Sequence, residues 1–250
     1  MNNKFPPQEV PATPEYVLSV IADNHRQQSQ FDPEVDRDTV LTFDTTVARW
    51  REACDLLSWT RLAHALNSAW SVNFSDDEWK AVLHPPRQRT LLDVCTLIAS
   101  RANRPVIRAI TMLGKPCNTA GAFLTVRHFL SQAGADASQI GPSTELSPFL
   151  RTYLGEFLGP ISRLAPGRLP PVAIRTSFYH SAVVGFAISL LFVLVTALVG
   201  RPECTALATM FAIVFYPLIW IAARRRPEDV QFGELKTFRD LAYLLTDTSA

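Results

Sequence analysis

Cys54, Asp55 and His64 are the residues that come closest to a nucleophile with its base, because a thiolate attacks electrophilic carbon and an imidazole can take its proton. Nothing in their spacing orients the imidazole, so no catalytic residue is assigned. The remaining cysteines, Cys95, Cys117 and Cys204, make no Cys-x-x-Cys pair. The histidines His25, His84, His128 and His180 lack both a second His at ligand spacing and a His-Glu-x-x-His motif. Ten glycines form neither a phosphate loop nor a Gly-x-Ser-x-Gly elbow. The expectation is a non-enzymatic protein with no metal and no cofactor.

The elements that would carry any site read as helices. The chain has 250 residues, 48% hydrophobic and 19% charged, with a formal net charge of +1. That composition speaks against disorder throughout and against a nucleic-acid partner. Residues 1–12 are polar and proline-rich and read as a flexible arm, after which Thr13-Pro14-Glu15 opens a first helix. Val47, Trp50 and Cys54 share one helical face, as do Leu62, Leu66 and Trp70. Ser75 to Glu78 is a capping box ahead of Trp79 and Leu83, and Thr90 starts a helix with Leu91, Val94, Cys95 and Ile98 inward. A further helix from Asn118 carries Val126 and Leu130 and stops at Gly134. The stretch from Pro105 to Met112 is treated as helix or loop, because Gly114, Lys115 and Pro116 break it and no alternating partner is evident. The fold class expected for residues 13–140 is therefore all-α. Residues 141–180, rich in Pro, Gly and basic side chains, read as a stiff connector.

Two uncharged runs follow, at 181–199 and 204–223, each of about the length that crosses a hydrocarbon core. They predict a C-terminal two-helix transmembrane hairpin. Arg168 and Arg175 before it, with Arg224, Arg225 and Arg226 after it, place both termini on the cytoplasmic side of an inner membrane and in contact with lipid headgroups. Ser181, Gly185 and Ser189 in the first run, with Ala208 and Ala212 in the second, form small-residue faces suited to helix packing, within one hairpin or between copies in a homo-oligomer. The tail, residues 224–250, repeats Phe232, Leu235, Phe238, Leu241 and Leu245 at helical spacing. It suits a bilayer interface, docking back on the helical domain, or pairing with a second copy.

Charge is polarised. Residues 1–100 hold 9 basic and 14 acidic side chains, whereas residues 101–180 hold 9 and 3. An acidic, Trp-rich region would face a protein partner while the basic layer rests on the bilayer. Asp55-Leu56-Leu57 and the stretch from Thr60 to Ala102 resemble the second half of acyl carrier proteins: a helix, an aromatic at Trp70, the acidic segment Ser75 to Glu78, then a helix opened by Thr90 with Asp93-Val94. In that family a serine after aspartate carries the phosphopantetheine arm. Leu56 stands at that position, so the resemblance implies an acidic helical docking surface without the carrier chemistry. The functional expectation is a membrane-tethered helical adaptor or recruitment platform, the alternative a self-assembling effector whose hairpins perturb the bilayer.

Overall fold

The computed structural model describes residues 5–56, 58–112, 114–175, 177–198, 209–210, 213, 216–217 and 229–247. It divides into two compact units, one of Met1–Ala173 with Gln231–Ala250 and the other of Ile174–Val230.

The first unit begins with strand β1 (Gln8–Pro11) and helix α1 (Pro14–Gln28). Thr13 caps α1 by accepting from the Tyr16 amide, and Pro14 takes the first-turn place where its missing N–H costs nothing. Helices α2 (Val47–Ala53), α3 (Trp59–Trp70), α4 (Asp76–Leu83) and α5 (Leu91–Ala99) follow. Val17, Val20, Trp50, Leu66, Trp79 and Ile98 belong to one buried cluster. Trp79 is fully buried and its indole N–H donates to Asn67 Oδ1 at 3.0 Å, while Asn67 also bonds both backbone groups of Phe74. One side-chain amide thus satisfies the polar groups that this cluster would otherwise bury unpaired.

Strand β2 (Asn103–Val106) returns antiparallel along β1, with Gln8 opposite Val106 and Pro11 opposite Asn103. A hairpin of β3 (Ile110–Met112) and β4 (Lys115–Cys117) turns through Gly114, whose φ of 78° is the left-handed region that glycine enters freely. Helix α6 (Asn118–Gln132), a 3-10 turn (Ala137–Gln139), α7 (Ser147–Glu156), a π turn (Phe157–Ile161) and a 3-10 turn (Ser162–Leu164) lead to β5 (Val172–Arg175). β5 pairs with β6 (Asp229–Phe232) in a third two-stranded sheet. In the second unit, helix α8 covers Ser177–Leu198. Its described side chains Val184, Ile188, Leu191 and Leu194 are exposed, and the Phe186 ring meets that of Tyr216 at 6.1 Å. The final helix, α9 (Phe238–Thr246), packs on α6 and buries Phe238, Leu241, Ala242 and Leu245 in the first unit.

The first unit is built twice on one backbone pattern. An isolated antiparallel bridge joins Thr46 to Thr90, with Val47 N–H donating to Arg89 O at 2.8 Å and Leu91 N–H to Thr45 O at 2.9 Å. A second joins Glu145 to Thr237, with Leu146 N–H donating to Lys236 O at 2.9 Å and Phe238 N–H to Thr144 O at 3.2 Å. The match extends outward: Leu92 N–H bonds Phe43 O as Arg239 N–H bonds Pro142 O, and the hydroxyls of Thr45 and Thr144 accept from Thr42 and Gly141 respectively. Each bridge delivers the chain into a helix with a Thr-x-x-Asp start, where the Thr90 and Thr237 amides donate to Asp93 and Asp240 at 2.9 Å. In the first repeat α5 lies against α1, and in the second α9 lies against α6.

Several expectations are corrected. The chain is mixed helix and strand, not all-α. The partner of β2 is supplied by residues 8–11, about a hundred positions upstream, and the Gly-Lys-Pro that argued against a strand is itself part of the β3–β4 hairpin. Among the described residues no helix is long and apolar enough to cross a membrane, which overturns the two-span inner-membrane assignment with its cytoplasmic termini. A charge-free run reports composition, whereas a crossing needs a continuous helix of sufficient length and hydropathy. Of residues 204–223, the described ones are Thr209, Met210, Ile213, Tyr216 and Pro217. The membrane-tethered platform and the bilayer-perturbing effector fall with that assignment. Inside the expected connector lie α7 and the two turns after it.

Two predictions follow from these contacts. A Cβ on Gly121 would lie 2.0 Å from the Arg108 carbonyl oxygen, so Gly121→Ala forces α6 off the preceding chain and costs about 1–3 kcal/mol in urea unfolding. The backbone amide of Thr237, then its hydroxyl, holds the Asp240 carboxyl below its ordinary 3.8. A depressed carboxylate stabilises the fold above its unfolded value and loses that contribution as pH falls through the folded one. Asp240→Asn should therefore melt lower than the parent at neutral pH and show a flatter decline of melting temperature below pH 3.8.

Candidate functional site

The first repeat carries an acidic turn where α1 runs into α2. The Asp32 carboxylate accepts from the Glu34 amide at 3.0 Å and from Gln28 at 3.2 Å, closing a local turn. Asp55 follows α2 with φ of 44°, a left-handed conformation that Asp adopts more readily than most side chains. Interaction with the neighbouring Asp55 carboxyl, through a shared proton and then through like charge, followed by the charge of Asp32, pushes the Glu34 carboxyl above its ordinary range. No salt bridge among the described residues reaches Asp32, Glu34 or Asp55. Asp36 differs: its carboxylate accepts from the Thr39 hydroxyl at 2.6 Å and pairs with Arg49 at 2.7 Å, and it is held below the usual range chiefly by the Thr39 hydroxyl. The same backbone ties this turn inward, since Asp36 N–H donates to Ala53 O and Asp36 O lies 2.9 Å from buried His25 Nε2.

A second polar assembly centres on Tyr16 of α1. Its hydroxyl donates to Arg163 O at 2.8 Å, its ring meets Trp70 edge-on at 6.2 Å, and the Arg104 guanidinium stands 5.8 Å from its centroid. Arg163 lies over the Trp70 ring at 4.6 Å and donates to Ala69 O at 2.7 Å. Burial pushes the Tyr16 phenol up to about 12, against the opposing pull of Arg163 and Arg104. Tyr16 therefore stays a neutral donor at physiological pH.

The nucleophile arrangement considered from sequence does not form a dyad. Cys54 is buried at the end of α2, where desolvation raises its thiol to about 11, whereas His64 is exposed on α3. Cys95 is raised to about 12 by the same cause, and thiols so placed are poor nucleophiles. Among the described residues there is no cluster of three or more His, Cys, Asp or Glu placed to hold a metal.

Of the residues expected to pack membrane helices, Ser181, Gly185 and Ser189 lie in α8. The Ser189 hydroxyl turns back to Gly185 O at 2.8 Å, so it is satisfied within its own helix. Ala208 and Ala212 lie outside the described residues. Of the arginines expected at headgroups, Arg168 is half-buried in the turn after Leu164, with its amide bonded to Ala165 O at 3.1 Å. Arg175 ends β5, and Arg224, Arg225 and Arg226 lie outside the described residues. The sequence reading missed Glu34, Tyr16 and Arg104. Arg104 had a usable signal: a residue before proline is pushed to extended backbone, and Asn103-Arg104-Pro105-Val106 is a strand.

Compared with protein-family models, with curated proteins and with solved structures, the chain matches none.

Proposed function

We propose that the chain is a non-enzymatic docking protein whose acidic first repeat receives a basic segment of a protein partner. The observation that carries this reading is the crowding of Glu34, Asp55 and Asp32. Asp55 and Asp32 crowd the Glu34 carboxyl with no salt-bridge cation among the described residues, and the charge of an approaching Lys or Arg side chain relieves that repulsion. Their neighbours supply rigidity: Asp36 and Arg49 brace one side of the turn, and the α2 C-terminus fixes Asp55 on the other.

The acyl-carrier-like stretch supports the same reading. Leu56 packs against the buried cluster and its amide bonds Arg51 O at 2.9 Å, which suits a structural residue rather than an attachment point. Asp76 and Asp77 are exposed in the first turn of α4, where they also favour the helix dipole. A surface of this kind speeds and orients association more than it tightens it, so the complex should be sensitive to ionic strength.

The sign of the Glu34 shift fixes a pH signature. Its folded value lies above the ordinary carboxyl range, so the folded chain binds that proton more tightly than the unfolded chain, and this term weakens stability as pH rises through the folded value. Glu34→Gln should raise the melting temperature at neutral pH. A photo-crosslinking side chain placed at Asn24, on the exposed face of neighbouring α1, should trap one protein through a Lys- or Arg-rich segment, with yield falling as salt is raised. The double variant Glu34→Gln, Asp55→Asn should remove most of the adduct while leaving the fold intact. Adducts indifferent to both salt and the double variant would sink the proposal.

A further inference from the structure

The two repeats of the first unit meet along β2, and a cavity of about 330 Å³ opens at that seam. Tyr16 and Arg104 come to it from the first repeat, and Asn118, Leu245 and Thr246 from α6 and α9 of the second. Val106, Ile107, Leu164 and two prolines complete largely apolar walls. Its size falls at the small end of ligand cavities, and sites between packed substructures are where such cavities concentrate.

Among the described lining residues Arg104 is the one formal charge. Its Nε is buried and has no hydrogen-bond partner, and no salt bridge joins it to an acid among the described residues. The Tyr16 ring beside it offers a π face, which attracts the cation but does not accept in the guanidinium plane. The Tyr16 hydroxyl proton is already committed to Arg163 O. Nε itself is closed off, so the terminal N–H groups of the guanidinium are what the cavity can offer a ligand, and to these an anion returns more than a neutral acceptor does. The described lining residues supply one permanent cation, no carboxylate and several hydrocarbon walls.

We propose that this seam cavity binds a small amphipathic monoanion, a carboxylate with a short hydrocarbon body, its head on Arg104 and its tail against Val106, Ile107, Leu164 and Leu245. A single guanidinium balances a single charge, which favours a carboxylate over a phosphate dianion. The cavity is separate from the acidic turn, so the two proposals stand or fall independently.

Calorimetric titration of the full chain with butyrate, hexanoate and octanoate, beside the alcohols of equal length and inorganic phosphate, tests it. Affinity should grow with chain length, and hexanoate should bind about tenfold or more tighter than hexanol. Arg104→Gln should erase that preference for the carboxylate. Ile107→Trp, which fills the cavity without touching the charge, should abolish binding of hexanoate and hexanol alike. Both variants are checked by their melting curves, and Arg104→Lys, which keeps the charge but not the planar fork, should retain part of the affinity. The double variant in the acidic turn should bind hexanoate as the parent does. Equal affinity for alcohol and carboxylate, phosphate binding as tight as hexanoate, or a folded Ile107→Trp that still binds would each overturn the proposal, as would the absence of any binding by the folded parent.

Discussion

The first unit depends on a short antiparallel bridge used twice. Two backbone hydrogen bonds at Thr46 and Thr90 hold the start of α2 beside the start of α5, and two more at Glu145 and Thr237 hold the start of α7 beside that of α9. Each bridge closes a loop, of 44 residues in the first repeat and 92 in the second. Loop closure cost rises only logarithmically, so doubling the length adds about 0.6 kcal/mol. That is less than a single net backbone hydrogen bond contributes at the upper end of its range, about 1.5 kcal/mol. The second repeat can therefore carry residues 174–230 inside its loop and still close. Helix α9 also adds a buried apolar face to the closure, with Phe238 meeting Phe149 edge-on at 5.2 Å.

Charge follows the same division. Acidic side chains concentrate in the first repeat, where Asp36 and Glu52 use Arg49 and where Glu34, Asp55 and Asp32 have no cation among the described contacts. Two arginines at the seam are spent on rings and carbonyls: Arg163 lies over Trp70 at 4.6 Å and donates to Ala69 O, and Arg104 stands 5.8 Å from the Tyr16 ring centroid. Arg163 is pushed below its ordinary value by burial and remains a cation, since guanidinium keeps its proton in any protein setting. Such stacking lets a charged side chain fill core space without an acid beside it. Arg104 has no acid beside it among the described residues and lines the seam cavity, which gives that cavity a cation to offer.

Local signals were legible where a few neighbouring residues decide the outcome. The Ser75–Glu78 capping box, the Thr90 helix start and the inward faces of Trp50, Cys54, Val94 and Ile98 are settled within one or two turns of chain. The strands were not legible, because β1 and β2 are each four residues long and mean nothing until paired across a long loop. The duplication was hidden for a similar reason. Backbone bonds repeat atom for atom while the side chains on them differ, Thr46 against Glu145 and Leu91 against Phe238, and extra chain in the second copy destroys any fixed period. The membrane reading rested on charge-free composition, whereas among the described residues no helix is long and apolar enough to cross a membrane. At the site, polarised charge was visible in the counts, but the crowding of Glu34 by Asp55 needed the turn that brings positions 34 and 55 together.

The seam explains why one chain can present two unlike surfaces. In each repeat the packed pair, α1 with α5 or α6 with α9, buries its apolar stripe within the repeat, and what remains for the junction is β2 with the turns that follow α7. Strand β2 has one partner, β1, so its other edge and its side chains must be satisfied by whatever lies opposite. At this junction Tyr16 donates to Arg163 O and its ring faces Arg104, long polar side chains that bridge gaps but do not fill them. Packed aliphatic side chains would close such a junction to interior density, whereas stacked arginines and prolines leave volume between them. A polar seam between two self-contained cores is therefore where a cavity is expected to persist, and a buried cation left on its wall sets which small molecule can enter it.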